Sequence, residues 1–219
     1  MDWASPLCRG LYALWLPAAS SGLELHELAG GGRAAVANAD PAAVWQSPGD
    51  PGSYLRLDGV DDLVDTGRAP DLDRFFSVMV WFRARTWPAD CDLFGSRSAA
   101  IPFLLNPYQS GGNKLDWFAR DTSSHSGWVT FSGAAVNTWY CAVGTRAVPQ
   151  GCTLALYING ALVGSQSYAQ IDPVMGTGTI KINPSGSGAF DVGPCAIWKR
   201  LLSPTEIAGL AADYRLASM

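Results

Sequence analysis

The sequence has few ionisable side chains, and lysine, glutamate and histidine are the scarcest of them. Charged residues make up 16% of the 219 residues, the formal net charge is −4 and the pI is near 5.0. There are only three lysines, three glutamates and two histidines. Because binding to a phosphate backbone requires a basic surface, this composition excludes nucleic acid as an expected partner.

Long hydrophobic runs are also missing. The N-terminal sequence MDWASPLCRGLYALWLP has no early basic residue, and its apolar stretch is interrupted by Pro6, Arg9 and Pro17. A membrane-spanning helix needs roughly 20 consecutive apolar residues, and a secretory signal peptide begins with a basic segment. We therefore expect no membrane span and no signal peptide, and a chain that is made and kept soluble unless another route exports it.

Cysteine is present at five positions, but no two of them form a C-x-x-C pair. An odd number without a secretion signal predicts buried free thiols rather than a disulfide framework. Cys141 and Cys152 are the one pair whose positions allow them to face each other across a hairpin.

Recognisable catalytic motifs are absent as well. The sequence has no G-x-S-x-G elbow, no phosphate-binding P-loop and no two histidines at metal-ligand spacing. Glycoside hydrolysis usually needs two carboxyl groups that flank the scissile bond. Glu24 and Glu27 are three residues apart, which places them on opposite faces of a strand, and Glu206 lies in a helix cap. The sequence therefore predicts a protein that is not an enzyme.

Short runs rich in Val, Ile, Tyr, Phe and Trp fill most of the chain, and 24 glycines and 14 prolines separate them. This pattern is typical of an all-β sandwich and, without an interior linker, predicts one domain over residues 1–219. The clearest hairpin is TLALYI-NG-ALVGS, in which Asn159-Gly160 suits a type I′ turn and Leu154 and Ile158 share one face.

The run FFSVMVWF, residues 75–82, is apolar on both faces. Phe76 and Val80 lie on one face of the predicted strand, and Met79 and Trp81 lie on the other. A strand with this pattern is central and covered on both sides. Loops, a third layer or a partner subunit can supply the second cover.

Helix signals are confined to the C-terminal segment. Ser203 begins the capping box SPTE, in which the Ser203 and Glu206 side chains accept hydrogen bonds from each other's backbone amides. Ile207 and Leu210 then form an apolar stripe. The sequence predicts one short helix that docks on the sandwich.

Five segments together resemble the laminin-G-like branch of the concanavalin A-like lectin/glucanase fold. They are LDGVDDLVDTG, FSVMVWFRA, WYCAVGTR, LALYINGALVGS and AIWKRLLSPTEIAGL. The resemblance implies a jelly-roll β-sandwich of two antiparallel sheets with a short C-terminal helix. The opening pattern SPLCRGLYALWLP is similar to single-domain proteins of this type found among bacteriophage structural proteins.

The segment LDGVDDLVDTG is rich in aspartate, and relatives in this family often hold a structural Ca²⁺ with such residues. The resemblance makes Asp61 and Asp62 the corresponding ligands. The acidic pair that the family commonly carries in its closing strand is replaced by Gly-Pro at 193–194, so we expect no bound metal and no cofactor. Asp58-Gly59 is expected to form a tight turn with the other aspartates on its solvated side.

Nine tryptophans are present, and those within clear strand patterns are expected in the core. Trp87, Trp117 and Trp128 lie in the segment that least resembles the family, where loops can expose them. These three are our candidates for stacking on a glycan, and burial in the core is the alternative interpretation.

Three functions are compatible with this fold, because fold does not fix function. We expect a non-catalytic structural or adhesion protein on a virion surface, made in the host cytoplasm, as capsid decoration or a spike or fibre component. Its partners would be virion capsid or tail proteins, and it would be a homo-oligomer or be displayed in many copies. The first alternative is a lectin-like module for a host-surface glycan. The second is a glycoside hydrolase with an atypical site, since the E-x-D-x-E motif of the fold's glucanases is missing.

Overall fold

The part of the chain that the structure describes folds into β-strands with very little helix. The computed structural model describes residues 5–17, 24–30, 33–37, 45–46, 53–72, 74–87, 91–97, 101–108, 113–121, 125–148, 152–168, 178–185 and 187–212. Within these ranges there are sixteen strands, a 3₁₀ helix at Pro6–Cys8 and one α-helix, α1, at Pro204–Ala212. In this part of the chain, no helix is both long and apolar enough to cross a membrane.

The strands are numbered β1 to β16 in chain order. They are Leu11–Trp15, Glu24–His26, Arg33–Ala37, Trp45–Gln46, Tyr54–Arg56, Leu63–Asp65, Phe75–Ala84, Phe94–Gly95, Ile101–Tyr108, Lys114–Arg120, Ser126–Ser132, Trp139–Ala147, Cys152–Ile158, Ala161–Tyr168, Lys181–Ile182 and Phe190–Trp198.

The described strands form a sandwich of two antiparallel sheets, each of eight strands. Sheet 1 has the order β14-β13-β12-β7-β16-β5-β4, and β1 also pairs with β16. Sheet 2 has the order β11-β10-β9-β8-β15-β6-β3-β2. The predicted all-β jelly-roll sandwich with a short C-terminal helix is confirmed.

The hairpin turn between β13 and β14 has the predicted geometry. Asn159 and Gly160 have φ angles of 50° and 82°, the positive values that a type I′ turn requires. Leu154, Leu156 and Ile158 are all buried on the inner face of β13. The alternation read from the sequence therefore places this strand correctly.

The turn at Asp58-Gly59 connects the two sheets instead of joining paired strands. It follows β5 of sheet 1 and precedes β6 of sheet 2. Gly59 has a φ of 91°, and a Cβ atom there would lie 2.8 Å from Cβ of Ala189. The Asp58 side chain accepts a hydrogen bond from the Val60 amide at 2.7 Å. Only glycine fits this close approach with positive φ.

The main core lies between the sheets. The inward face of β7 contributes Phe76, Val78, Val80 and Phe82, each no more than 1% exposed. Arg146 of β12 is also fully buried there, with its guanidinium 5.5 Å from the centre of the Phe76 ring. The predicted inner face of FFSVMVWF is thus confirmed.

A second apolar cluster covers part of the outer face of sheet 1. We call it the outer cluster; its buried members are Leu14, Leu16, Met79, Cys141, Val143, Ala196, Trp198, Leu202, Ile207 and Leu210. Helix α1 contributes Ile207 and Leu210, so the chain itself covers Met79, which is 4% exposed. Trp81 is half-buried against the cluster, and Phe75 remains 41% exposed. No partner subunit is needed to cover the middle of this strand.

All five cysteines are free thiols, and four of them are buried. Cys141 belongs to the outer cluster, whereas Cys152 lies in the main core. The two side chains therefore lie on opposite faces of sheet 1 and do not face each other across the hairpin. Burial raises the pKa of Cys141 to about 12, which keeps it a neutral thiol.

The predicted capping box begins helix α1. The Ser203 amide donates to Glu206 Oε2 at 2.8 Å, and the Glu206 amide donates to Ser203 Oγ at 3.3 Å. The Arg200 guanidinium also donates to Glu206 Oε1 at 2.7 Å. Arg200, together with the bonds from Ser203, lowers the pKa of Glu206 to about 2.

We expect Glu206→Gln to destabilise the protein by about 1 kcal/mol at pH 7, since it loses a partly exposed ion pair while keeping much of the cap. The folded-state pKa of Glu206 is depressed, so its stabilising contribution is present above pH 4.5 and is lost as pH falls toward 2. Melting temperatures of the two proteins should therefore converge in acid. Glu24→Gln removes the same charge outside the cap and is the control. A difference that stays constant with pH would contradict the prediction.

Candidate functional site

An exposed groove lies on the outer face of sheet 2. Side chains alternate along β10, so Leu115 and Trp117 face the core while Asp116, Phe118 and Arg120 face outward. The outward residues sit beside those of β9 and β11, which flank β10 in the sheet. This face is the one that α1 does not cover.

The centre of this face is a row of apolar side chains on three adjacent strands. Phe118 of β10 lies opposite Trp128 of β11 and opposite Leu104 of β9. Trp128 is 52% exposed, whereas Leu104 is 3% exposed. Solvent exposure therefore falls along the row from the indole ring of Trp128 to the buried Leu104. The result is one flat aromatic surface beside a depression.

The depression has a volume of about 460 Å³. It is lined by Arg97, Ile101, Leu104, Asn106, Phe118 and Arg120. Guanidinium and amide groups thus surround an apolar floor. This combination of a few polar groups around apolar side chains is typical of small-ligand sites.

Two polar contacts fix the edges of the groove. Arg97 forms an ion pair with Asp92, whose side chain is completely buried, so the guanidinium is held at the groove edge. On the other side of Phe118, Thr130 Oγ1 donates to Asp116 Oδ1 at 2.5 Å. We use the name Trp128 groove for the depression and its lining residues, together with Trp128 and the residues of these two contacts.

The structure places only one of the three predicted glycan-binding tryptophans at this surface. Trp117 is completely buried, because it shares the inward phase of β10 and its Nε1 donates to the Thr145 carbonyl at 3.0 Å. Trp87 is 5% exposed and packs its ring edge-on to Phe82, with centroids 6.5 Å apart. A buried ring offers no face to a sugar, so the expectation was wrong for Trp87 and Trp117. Trp128 remains a candidate.

The groove residues beside Trp128 were not predicted from the sequence. Phe118 and Leu104 lie in strand patterns that gave no sign of which face is covered. The alternation of KLDWFAR does place Trp117 and Phe118 on opposite faces, and this signal would have separated the core residue from the outward-facing one.

Three carboxylates lie close together in the connection between β5 and β6. Oxygen atoms of Asp58, Asp61 and Asp62 are all within 4.8 Å of one another. Asp62 is 4% exposed and accepts the Asp58 amide at 2.6 Å, so it is not on the solvated side of the turn as expected. Burial, reinforced by the charges of Asp58 and Asp61, raises the pKa of Asp62.

These three aspartates are the described residues that would hold a cation if one bound. Ca²⁺ takes six to eight oxygen ligands, so the cluster would supply only part of its coordination shell. The Asp58 and Asp62 carboxylates already accept hydrogen bonds from backbone amides. That the protein functions without a bound metal stays a prediction.

Glu27, which directly follows β2, has a structural role. Its carboxylate accepts hydrogen bonds from the amides of Leu14, Ala29 and Gly30 and from Arg68 Nη2, the last at 2.7 Å. Burial acts to raise the pKa of Glu27, but these four donors outweigh it and hold the pKa below its usual value. A carboxylate kept ionised in this way is a poor proton donor for glycoside hydrolysis.

The two histidines are far apart in the sequence, and each of them lies beside a carboxylate. His26 Nε2 is 3.9 Å from Glu24 Oε2, and His125 Nδ1 is 3.0 Å from Asp121 Oδ2. Each ring is partly exposed. Neither of these two ion pairs includes a nucleophilic side chain.

The two-sheet jelly roll with a terminal helix and an exposed groove on one sheet defines a lectin-like β-sandwich. The model of the Laminin_G_3 family, described as the Concanavalin A-like lectin/glucanases superfamily, matches residues 58–208. The chain belongs to this family. No curated protein matches the chain.

Solved structures with a similar fold include binding domains of botulinum neurotoxins and of a paraclostridial mosquitocidal protein. The receptor binding domain of botulinum neurotoxin type G superposes with a TM-score of 0.68 at 15% identity, over 93% of this chain and 51% of that one. The binding domain of Paraclostridial Mosquitocidal Protein 1 gives a TM-score of 0.69 at 18% identity, over 94% and 52%.

The ligand binding domain of botulinum neurotoxin serotype D, solved in complex with N-acetylneuraminic acid, gives a TM-score of 0.70 at 16% identity, over 93% of this chain and 50% of that one. The chain thus spans about half the length of these structures. At these identities the likeness establishes the fold.

Proposed function

We propose that the protein is a non-catalytic glycan-binding module, and that its ligand lies in the Trp128 groove. The observation that carries this proposal is the 52% exposed indole of Trp128 beside a groove of about 460 Å³. An exposed tryptophan on a rigid strand offers a flat apolar face for a sugar ring without ordering a loop.

The polar groups around the groove provide hydrogen bonds for hydroxyl groups. Asn106 and Arg120 line the depression, and Asp116 lies on the same face one row along the strand. Arg97 is held in place by the buried Asp92. Because these side chains project from neighbouring strands, their spacing is set by the sheet and not by the ligand.

Similar folds occur in proteins whose names describe binding. The toxin structures are receptor or ligand binding domains, and one was solved with N-acetylneuraminic acid. This chain matches about half of each, so the likeness supports a binding role for the fold and does not assign their sugar to this groove. The role of Glu27 as a structural acceptor also supports binding over hydrolysis.

Display on a virion, through capsid or tail proteins and in many copies or as a homo-oligomer, stays a separate proposal. It rests on the resemblance of the N-terminal pattern to bacteriophage structural proteins. Mass spectrometry of purified particles tests it directly: the chain should co-purify with the capsid or tail, and its absence from particles would contradict this placement.

We expect Trp128→Ala to weaken glycan binding by tenfold to a hundredfold, because truncating a central tryptophan typically removes the largest single contribution at a binding surface. A glycan array identifies the ligand, and isothermal titration calorimetry then measures the affinity of both proteins. Phe75→Ala removes another exposed aromatic side chain, from the opposite sheet, and should bind normally. The proposal would be contradicted if no array glycan binds, or if Trp128→Ala binds as well as the unmodified chain. It would also be contradicted if the protein hydrolyses a polysaccharide and either Glu24→Gln or Glu27→Gln abolishes that activity.

A further inference from the structure

A cluster of arginines surrounds one buried carboxylate on the outer face of sheet 1. Asp191 of β16 is completely buried and lies opposite Arg83 of β7 and Arg56 of β5. Its Oδ1 accepts from Arg56 Nε at 3.0 Å and is 3.5 Å from Arg85 Nε, and its Oδ2 accepts from Arg83 Nε at 2.8 Å. We call Arg56, Arg83, Arg85 and Asp191 the arginine cluster.

The arginine cluster carries an excess of positive charge. Three guanidinium groups share one carboxylate, which leaves a local charge of about +2 on a chain whose net charge is −4. The arginine side chains are 36%, 23% and 30% exposed at Arg56, Arg83 and Arg85, so they reach solvent. Like charges held this close are stabilised by an anion that binds between them.

Donor groups of the arginine cluster remain available. In the contacts among described residues, Arg56 uses Nε to Asp191 and Nη2 to the Tyr54 hydroxyl. Arg83 likewise uses Nε and Nη2. A guanidinium has five N–H donors, so the Nη1 groups of both residues can bind a further acceptor.

Two aromatic rings hold these guanidiniums in position. Arg83 lies 5.5 Å from the centre of the Tyr54 ring and 5.1 Å from that of Trp139, and Arg56 lies 5.6 Å from Tyr54. The two rings themselves meet edge to face at 5.5 Å. Stacking of this kind fixes a guanidinium before a ligand arrives, and both rings are partly exposed beside the charges.

We propose that the arginine cluster binds a carboxylate group of an acidic polysaccharide, with the sugar ring against Tyr54 and Trp139. The Nη1 groups of two neighbouring arginines can each donate to one oxygen of the same carboxylate, which favours this anion. The low charge and pI of the whole chain do not favour a nucleic acid, whose binding depends on extended basic surface. The site lies on the opposite sheet from the Trp128 groove and does not depend on the proposed function.

Titration of the full chain with oligogalacturonate tests this inference, with the matched neutral oligosaccharide of galactose as reference. The acidic oligosaccharide should bind and the neutral one should bind at least tenfold more weakly. Arg56→Gln should weaken oligogalacturonate binding at least tenfold, while Asp191 keeps Arg83 and Arg85 in place. Arg56→Lys keeps the charge but loses the planar guanidinium and its Nη1 donors, so it should show an intermediate affinity.

Arg74→Gln is the control, because Arg74 is exposed and immediately precedes the other end of β7. It should bind as the unmodified chain does. Circular dichroism and melting temperature establish that each variant is folded. The proposal is overturned if the chain does not bind oligogalacturonate, if Arg56→Gln binds unchanged, or if Arg74→Gln loses as much affinity as Arg56→Gln. Binding of dextran sulfate without oligogalacturonate would overturn the assignment to a carboxylate.

Discussion

Replacing Trp117 with alanine is expected to destabilise the protein by about 3–5 kcal/mol, the range for truncating a large buried aromatic residue. Trp117 is fully buried, its ring is 5.9 Å from Phe103 and 6.4 Å from Phe76, and its Nε1 bonds to the Thr145 carbonyl. Trp128→Ala, eleven residues along, should cost no more than about 1 kcal/mol because that ring is half exposed. Urea denaturation of the three proteins measures both differences.

A second variant shows whether the loss comes from packing of this ring. A Cβ atom on Gly144 would lie 2.3 Å from Cδ2 of Trp117, so Gly144→Ala should also destabilise the unmodified chain. In the Trp117→Ala background the same substitution should cost much less, because the clash has gone. Equal costs of Gly144→Ala in both backgrounds, or a loss of stability in Trp128→Ala as large as in Trp117→Ala, would mean that the two rings do not occupy these positions.

The contrast between the two tryptophans explains how far the sequence leads at this site. Alternation along β10 determines that Trp117 and Phe118 face opposite sides, and the inward phase of Leu115 then points to a buried Trp117. Trp87 has no such signal, because it precedes Pro88 outside any described strand. It is buried by tertiary contacts in the main core, among them the one with Phe82. Periodicity predicts which residues share a face, whereas tertiary contacts decide which face is covered.

The two-faced strand β7 illustrates the same limit. Its sequence predicts that Met79 and Phe76 are both covered, and the apolar stripe of α1 is also apparent from Ile207 and Leu210. Helix α1 covers the outer face of β7 because segments more than 120 residues apart in the chain come into contact. The hydrogen bond from the Leu202 amide to Ser77 Oγ is one such contact. Local patterns contain no information on such pairings, so the sequence alone leaves a partner subunit as an equal alternative.

The two candidate sites also depend on which strands pair in the sheets. Trp128 and Phe118 become neighbours because β10 and β11 form a hairpin, which is a local event. The arginine cluster instead joins Arg56 to Asp191, which are 135 residues apart in the chain, through the pairing of β5 with β16. In the sequence, Asp191 is a single acidic residue two positions before Gly193, and no local pattern links it to the arginines. Its three arginine partners are evident only once the sheet is assembled.

Asp191→Ala is the second substitution from which we expect a large effect. Removing the carboxylate leaves three neighbouring guanidiniums without their shared acceptor, and the expected loss is about 3 kcal/mol, toward the range for breaking a buried ion pair. Asp71→Ala breaks the exposed ion pair with Lys199 and should cost less than about 1 kcal/mol. Added sulfate should recover more melting temperature in Asp191→Ala than in Asp71→Ala, since an anion can replace the lost charge between the arginines. Equal losses in the two variants, with equal recovery in sulfate, would mean that water alone compensates these guanidiniums and that Asp191 does not hold them together.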